Sequence, residues 1–438
     1  MPGTDRRGFL VRTGLALGAT VLSGQLPRAF AGQPSPQGKI ESWDAVRTQF
    51  PLSRHLIHLA GFFLASHPTP VREAIERHRA GLDADPIGYW FEHEEKQEAK
   101  VLQAAADYLG VDPTELALTD STTMGLGLLY GGLHLREGQE ILTTTHDHYS
   151  TEMSLRLRAK RTGATVRQVS LYQSLAGVSR EQLIENLVKH VNAKTRVVAV
   201  TWVHSSTGLK LPIQEMAQAI TRINDSRAEQ DRMIFCVDGV HALGVEDFRL
   251  AELGCDFLVA GTHKWMFGPR GTGLVWGHQR AWPVANAVIP TFNIQAYDMW
   301  MKLIPAKPLP QSIHVTPGGF HSFEHRWALD EAFTFHQALG KSRVTQRIHE
   351  LNQQLKQGLA VMPHVTLHTP LSQDLSAGIV CFEVAGLTPQ EVVEKLRRRG
   401  IVGSVTPYAV QYARLAPGLL NSVSDIEKTL GEIRHLRS

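Results

Sequence analysis

Cysteine is scarce in this 438-residue chain: Cys236, Cys255 and Cys381 are all it has. Each lies in an apolar, strand-like run, and none forms a C-x-x-C pair or a metal-ligand cluster. A disulfide framework and a thiolate metal site are therefore excluded, and buried free thiols are expected. Net charge is equally scarce. The 45 Lys and Arg against 42 Asp and Glu give +3 at pH 7, and Arg6, Arg7, Arg12 and Arg28 against Asp5 account for it. Nothing in that balance points to nucleic acid or to an anionic membrane surface. Long apolar runs are missing too, and none approaches the roughly 20 residues of a spanning helix. No G-x-G-x-x-G follows a strand, which argues against a nicotinamide enzyme.

The N-terminal 31 residues read as a removable leader. They have a charged head, a short apolar run from Gly14 to Leu22, and Ala29-Phe30-Ala31 as an A-x-A cleavage site. Arg6-Arg7-x-Phe9-Leu10 matches the twin-arginine export signal, so the twin-arginine translocase is the expected partner and the periplasm the expected destination. That route carries folded proteins, which suits a chain that acquires a cofactor in the cytoplasm.

Four segments are expected: the leader 1–31, an N-terminal segment 32–75, a large domain 76–320 and a small domain 321–438. A short helix is expected around Trp43. "PVREAIERHRAGL" and "EEKQEAKVLQAAADYLG" carry apolar residues at helical spacing. Beyond them, β-rich runs ("EILTTT", "RVVAVTWV", "RMIFCVDGV", "CDFLVAGT", "GTGLVWG") alternate with helices. The pattern predicts an α/β fold with a mostly parallel sheet flanked by helices. An irregular stretch from 281 to about 320 precedes a long helix from about Arg326 to Met362, and "AGIVCFEV" opens a smaller C-terminal α+β unit.

Open α/β sheets bind ligands at the carboxyl ends of their strands. Five polar clusters lie at such ends. Ser121, Thr122 and Thr123 precede a Gly-containing helix, an arrangement that makes either an anion cup or a plain cap. His148 follows "EILTTT" and could lie flat on an aromatic ligand or face solvent. "WVHSSTG" brings His204, Ser205 and Ser206 to the sheet edge. In "FCVDGVHALG", Asp238 ends an apolar strand with His241 three residues on, and a buried carboxylate there is costly unless paired. Finally, "GTHKW" places Thr262, His263 and Lys264 after another apolar strand.

Each cluster is weak alone, but together they fit pyridoxal 5'-phosphate. That cofactor needs a lysine to bind its aldehyde, an acid on its ring nitrogen, a flat group over the ring and a phosphate cup.

"DGVHA" with "THKW" resembles the class V aminotransferase family of fold-type I pyridoxal phosphate enzymes, across about residues 55–435. The resemblance implies Lys264 as the Schiff-base lysine, Asp238 on the pyridine nitrogen and His148 stacked on the ring. It places His241 and Ser205 near the phenolic oxygen, with Thr122, Thr123, Thr262 and His263 on the phosphate. "YAVQYARLAPGLLN" resembles the substrate-carboxylate segment, with Arg414 as the fork. A homodimer is implied as well.

Cysteine desulfurases carry a nucleophilic Cys on a mobile loop, whereas no Cys follows Cys381 here. The isopenicillin N epimerase-like branch fits better. The leader and "PGGFHSFEHRW" are similar to exported enzymes that tailor the glutamyl side chain of pyoverdine-type siderophores. The expected chemistry is therefore at a Cα amine: transamination, epimerisation, C–S lysis, or oxidative decarboxylation to a succinamide.

Overall fold

The computed structural model describes residue 40 and residues 42–436, so the leader lies outside the described residues. Its strands are β1 (Ile57–His58), β2 (Leu116–Thr119), β3 (Glu140–Thr144), β4 (Thr165–Val169), β5 (Thr195–Thr201), β6 (Ile234–Asp238), β7 (Phe257–Gly261), β8 (Gly273–Gly277), β9 (Val365–Leu367), β10 (Val380–Val384), β11 (Ile401–Val402), β12 (Ser404–Val405) and β13 (Ala413–Leu415). Seven of them form one sheet in the order β2-β8-β7-β6-β5-β3-β4. Every pairing in it is parallel except the two made by β8. The carboxyl ends of β2, β3, β5, β6 and β7 consequently share one edge, and all five polar clusters arrive there.

Helices cover both faces, which is why β5, β6 and β7 are buried along their whole length. Side chains alternate between faces with the strand period of two. In β6, Ile234 and Cys236 join one apolar cluster while Phe235 and Val237 join the other. The same alternation puts Asp238 on the Cys236 face. That face is covered by the helices Thr122–Gly132 and Tyr149–Thr162, through Leu126, Leu129, Leu155 and Ala159.

Two expectations need revision, and two strands were not anticipated. β2 and β4 escape a pattern reading: β2 has only four residues, and β4 is an edge strand that is largely part-exposed. The single long helix from about Arg326 to Met362 is three helices, Phe323–Trp327, Leu329–Leu339 and Lys341–Ala360. Gly340 ends the second at φ 83° and ψ 123°, outside helical geometry and accessible to a residue without Cβ. The stretch 281–320 is less irregular than expected, holding helices Ile294–Trp300 and Gln311–Val315.

The C-terminal unit is a four-stranded antiparallel sheet, β12-β13-β10-β9. Its core also takes in Ile57 and Leu59 from the N-terminal segment. β1 pairs parallel with β11, and Ala416 N–H donates to the Leu59 carbonyl at 2.8 Å. Among the described residues, no helix is long and apolar enough to cross a membrane.

Candidate active site

Lys264 sits just beyond β7, with its Nζ 3.4 Å from His241 Nε2. The other ring nitrogen of His241, Nδ1, accepts from the Trp265 indole at 3.4 Å. With Nδ1 engaged by the indole, Nε2 is the ring nitrogen that faces the lysine. Burial, with the Arg414 charge nearby, lowers the Lys264 pKa to about 8, although Asp238 opposes the fall. His241 is fully buried and held well below the ordinary histidine value by burial and by Lys264.

Asp238 ends β6 only 2% exposed, and its Oδ1 accepts from Val240 N–H at 3.1 Å. Burial raises its pKa to about 6, while the Val240 N–H, Lys264 and the Thr151 hydroxyl favour the charged form. A carboxylate so placed is stabilised further by a proton donor presented to it. His148 caps the helix Tyr149–Thr162. Its Nδ1 lies 2.7 Å from Ser150 Oγ and accepts from Ser150 N–H at 3.2 Å. Burial, Lys264 and Arg414 all lower its pKa, so the ring is neutral.

The cup meets the residues that directly precede Lys264 in the chain. Ser121 Oγ accepts from Met124 N–H at 3.1 Å and so caps the helix Thr122–Gly132. Thr122 Oγ1 accepts from Gly261 N–H at 2.8 Å, and Thr123 Oγ1 donates to Ser150 Oγ at 3.2 Å. Gly261 lies between Thr122 and His263, and a Cβ there would meet the Thr122 hydroxyl and His263 Cε1 at 2.9 Å. The buried Nδ1 of His263 has no partner. A helix N-terminus and an orphaned ring nitrogen beside it form a cradle for an anion.

The Thr262 hydroxyl, between Gly261 and His263 in the chain, is engaged with Thr272. It is buried, 2.6 Å from Thr272 Oγ1, which itself donates to the Pro269 carbonyl at 2.5 Å. Its work is to close the turn that follows β7. His204 turns away. It stacks toward His146 at 5.4 Å in a buried aromatic group, where burial lowers its pKa to about 3.

Arg414, on β13, is 3% exposed. Its Nε donates to Ser404 Oγ at 3.1 Å, its Nη1 to the Ser205 carbonyl at 2.8 Å, and its Nη2 to the Val405 carbonyl at 3.5 Å. Of the five guanidinium N–H groups, those bonds leave one on Nη1 and one on Nη2, the pair that grips a carboxylate. Ser205 Oγ lies 2.6 Å from Tyr408 Oη, and the Tyr408 ring stands edge-on to His148 at 6.2 Å. Tyr408, Ser150, Thr151 and Phe62, whose ring centroid lies 4.5 Å from the Arg414 guanidinium carbon, are site residues that the sequence patterns did not single out. Ser150 and Thr151 follow His148 in "HYST", and Tyr408 opens "YAVQYARL", but neither signal exceeds that of ordinary polar loop residues.

A lysine with a depressed pKa, a buried carboxylate, a neutral imidazole, an anion cradle and a buried arginine gather around the carboxyl edge of an α/β sheet, where such folds bind ligands. A family model, aminotransferase class-V, matches residues 92–405, and the chain belongs to that family. It is 28% identical over 294 residues to a probable cysteine desulfurase of Halalkalibacterium halodurans, covering 66% of each chain. Over 367 residues it is 26% identical to isopenicillin N epimerase of Streptomyces clavuligerus, covering 82% of this chain and 88% of the relative.

Among solved structures, a variant of C-DES with glycine covalently linked to its PLP cofactor matches with TM-score 0.78 at 23% identity, covering 89% of this chain and 99% of that one. The cystine C-S lyase C-DES in complex with cysteine persulfide matches with TM-score 0.77 at 23% identity, covering 88% and 99%. These likenesses establish the fold. Pyridoxal 5'-phosphate is the cofactor that the family and this residue set fit, with the Gly261 cradle and the His263 Nδ1 atom suited to its phosphate.

Proposed function

We propose that this pyridoxal 5'-phosphate-dependent class V enzyme acts at the Cα amine of an amino acid, free or at the end of a peptide. The observation that carries the reading is Arg414. It is buried, has two N–H groups to spare, and lies close enough to lower the pKa values of Lys264, His148 and His241 together. When bound, the cofactor supplies an aldehyde for amines and a ring that takes up the electron pair released at Cα. Arg414 orients the substrate by its carboxylate. Lys264 holds or returns the Cα proton, a role that suits an amine whose pKa is near 8. Asp238 keeps a proton on the ring nitrogen, and His148 covers the ring.

Proton removal and return at Cα is what an epimerase requires, in keeping with the isopenicillin N epimerase relative. Desulfuration through a thiol of this chain finds no support. Cys381 is buried within β10, and burial pushes its thiol up to about 12. We extend the proposal to a homodimer exported to the periplasm and acting on a glutamyl unit of a pyoverdine-type siderophore by transamination or by decarboxylation with dioxygen. The twin-arginine motif at Arg6-Arg7 and "PGGFHSFEHRW" support that extension.

The test is to incubate holoenzyme in air with a glutamyl siderophore precursor, L-glutamate, L-cystine and L-alanine in parallel, following product mass and Cα configuration. Turnover of the precursor alone upholds the siderophore reading. Turnover of free amino acids alone defeats it while leaving Cα chemistry in place, and no turnover of any defeats both.

A further inference from the structure

Resting on the reading of Arg414 as the carboxylate fork, we infer that Phe62 is the residue that positions that fork. The side chain of Phe62 is 1% exposed, and the Arg414 guanidinium carbon lies 4.5 Å from its ring centroid. The same ring lies 5.9 Å from that of His241 and 6.3 Å from that of Trp265. Phe62 thus touches the fork on one side and the partners of Lys264 on the other.

Arg414 needs such a neighbour. Its hydrogen-bond partners are one hydroxyl and two carbonyls, and no carboxylate is paired with it among the described residues. A buried cation without an anion is costly. The electron-rich face of an aromatic ring offsets part of that cost, and more so when water is excluded. The ring also fixes the guanidinium plane, because the three hydrogen bonds hold its edges while Phe62 covers one face. Only the free Nη1 and Nη2 protons are then left for a substrate carboxylate.

The backbone around Phe62 is tied at both ends. Ile57 N–H donates to the Gly400 carbonyl at 2.8 Å, Leu59 N–H to the Val402 carbonyl at 2.9 Å, and Ala416 N–H to the Leu59 carbonyl at 2.8 Å. On the far side, Ala65 N–H donates to the His263 carbonyl at 3.4 Å, next to Lys264. Residues 57–65 are a strap between the strand that carries Arg414 and the residue before the reactive lysine. Phe62 sits near its middle and sets how far the carboxylate fork stands from the amine. Its effect is on selection of α-carboxylate substrates over amines that lack the carboxylate.

The test uses holoenzyme and dissociation constants from spectral titration, with L-alanine and L-alaninamide as the probes. Phe62→Leu keeps the bulk and removes the ring. A ring-trifluorinated phenylalanine at position 62 keeps the shape and drains electron density from the face. Phe62→Leu is expected to weaken L-alanine about tenfold and the fluorinated variant a few-fold, with L-alaninamide changed less than about twofold in both. An equal loss for both probes, or no loss for either, overturns the inference. Arg414→Gln is run alongside. If it weakens L-alanine selectively while the Phe62 variants do not, Phe62 has no positioning role. If Arg414→Gln is not selective either, the fork reading itself has failed and takes the inference with it.

Discussion

The reactivity of Lys264 in the apoprotein is open to direct measurement. A lysine with pKa about 8 is neutral at pH 7 in roughly one molecule in ten, whereas one at 10.5 is neutral in roughly one in three thousand. The site therefore raises the nucleophilic fraction about 300-fold at neutral pH. Trace acylation of the apoprotein across pH 6 to 11, read peptide by peptide by mass spectrometry, should place the Lys264 midpoint near pH 8, as no exposed lysine would be. Asp238 raises the Lys264 pKa and Arg414 lowers it, so Asp238→Asn should move the midpoint down and Arg414→Gln should move it up.

The same lowering has a stability consequence. Below about pH 8 both folded and unfolded states hold the proton, and the folded state bears the full cost of burying the charge, roughly 3 kcal/mol. Between about pH 8 and 10.5 the unfolded chain binds more protons, so stability rises with pH and the cost is gone above that window. Lys264→Met should accordingly stabilise the apoprotein by up to about 3 kcal/mol at pH 7, a figure that already contains the attraction to Asp238, and by almost nothing at pH 11. A labelling midpoint near 10.5, or an upward shift in Asp238→Asn, would refute the electrostatic account.

Three further outcomes are expected. Gly261→Ala sets a Cβ against the Thr122 hydroxyl and His263, and should weaken cofactor affinity at least tenfold in equilibrium dialysis, because the cradle is narrowed. Tyr408→Phe removes the 2.6 Å bond to Ser205. It should cost about 1 kcal/mol in denaturant unfolding and speed amide exchange across 406–412. Cys381→Ala should retain the wild-type turnover of any substrate found, and wild type incubated with L-cysteine should show no added sulfur on Cys381, because that thiol is buried and protonated.

Much of the site was legible because its parts end buried strands. Asp238 and Lys264 are ionisable residues directly after apolar runs, a placement that burial energetics makes expensive without a purpose. The cup at Ser121, Thr122 and Thr123 was legible as hydroxyls before a helix. Thr262 was assigned to the phosphate by resemblance alone, and its hydroxyl lies 2.6 Å from Thr272 Oγ1, a contact that no local pattern encodes. Phe62 and Tyr408 were hidden for another reason. Their roles come from contacts across more than two hundred residues, Phe62 with Arg414 and Tyr408 with Ser205, which no local period encodes. The helix break at Gly340 escaped because glycine within a helical pattern lowers helix preference by only about 1 kcal/mol, too little to mark a boundary by itself.

Lys264 is the residue expected to carry the cofactor covalently, with Asp238 on the ring nitrogen. Borohydride reduction of the pyridoxal 5'-phosphate-loaded protein, followed by peptide mass spectrometry, tests this assignment most directly. A phosphopyridoxyl adduct is expected on Lys264, lost in Lys264→Ala along with the visible absorbance of the bound cofactor. An adduct on another lysine with Lys264 unmodified, or visible absorbance that survives Lys264→Ala, would contradict it.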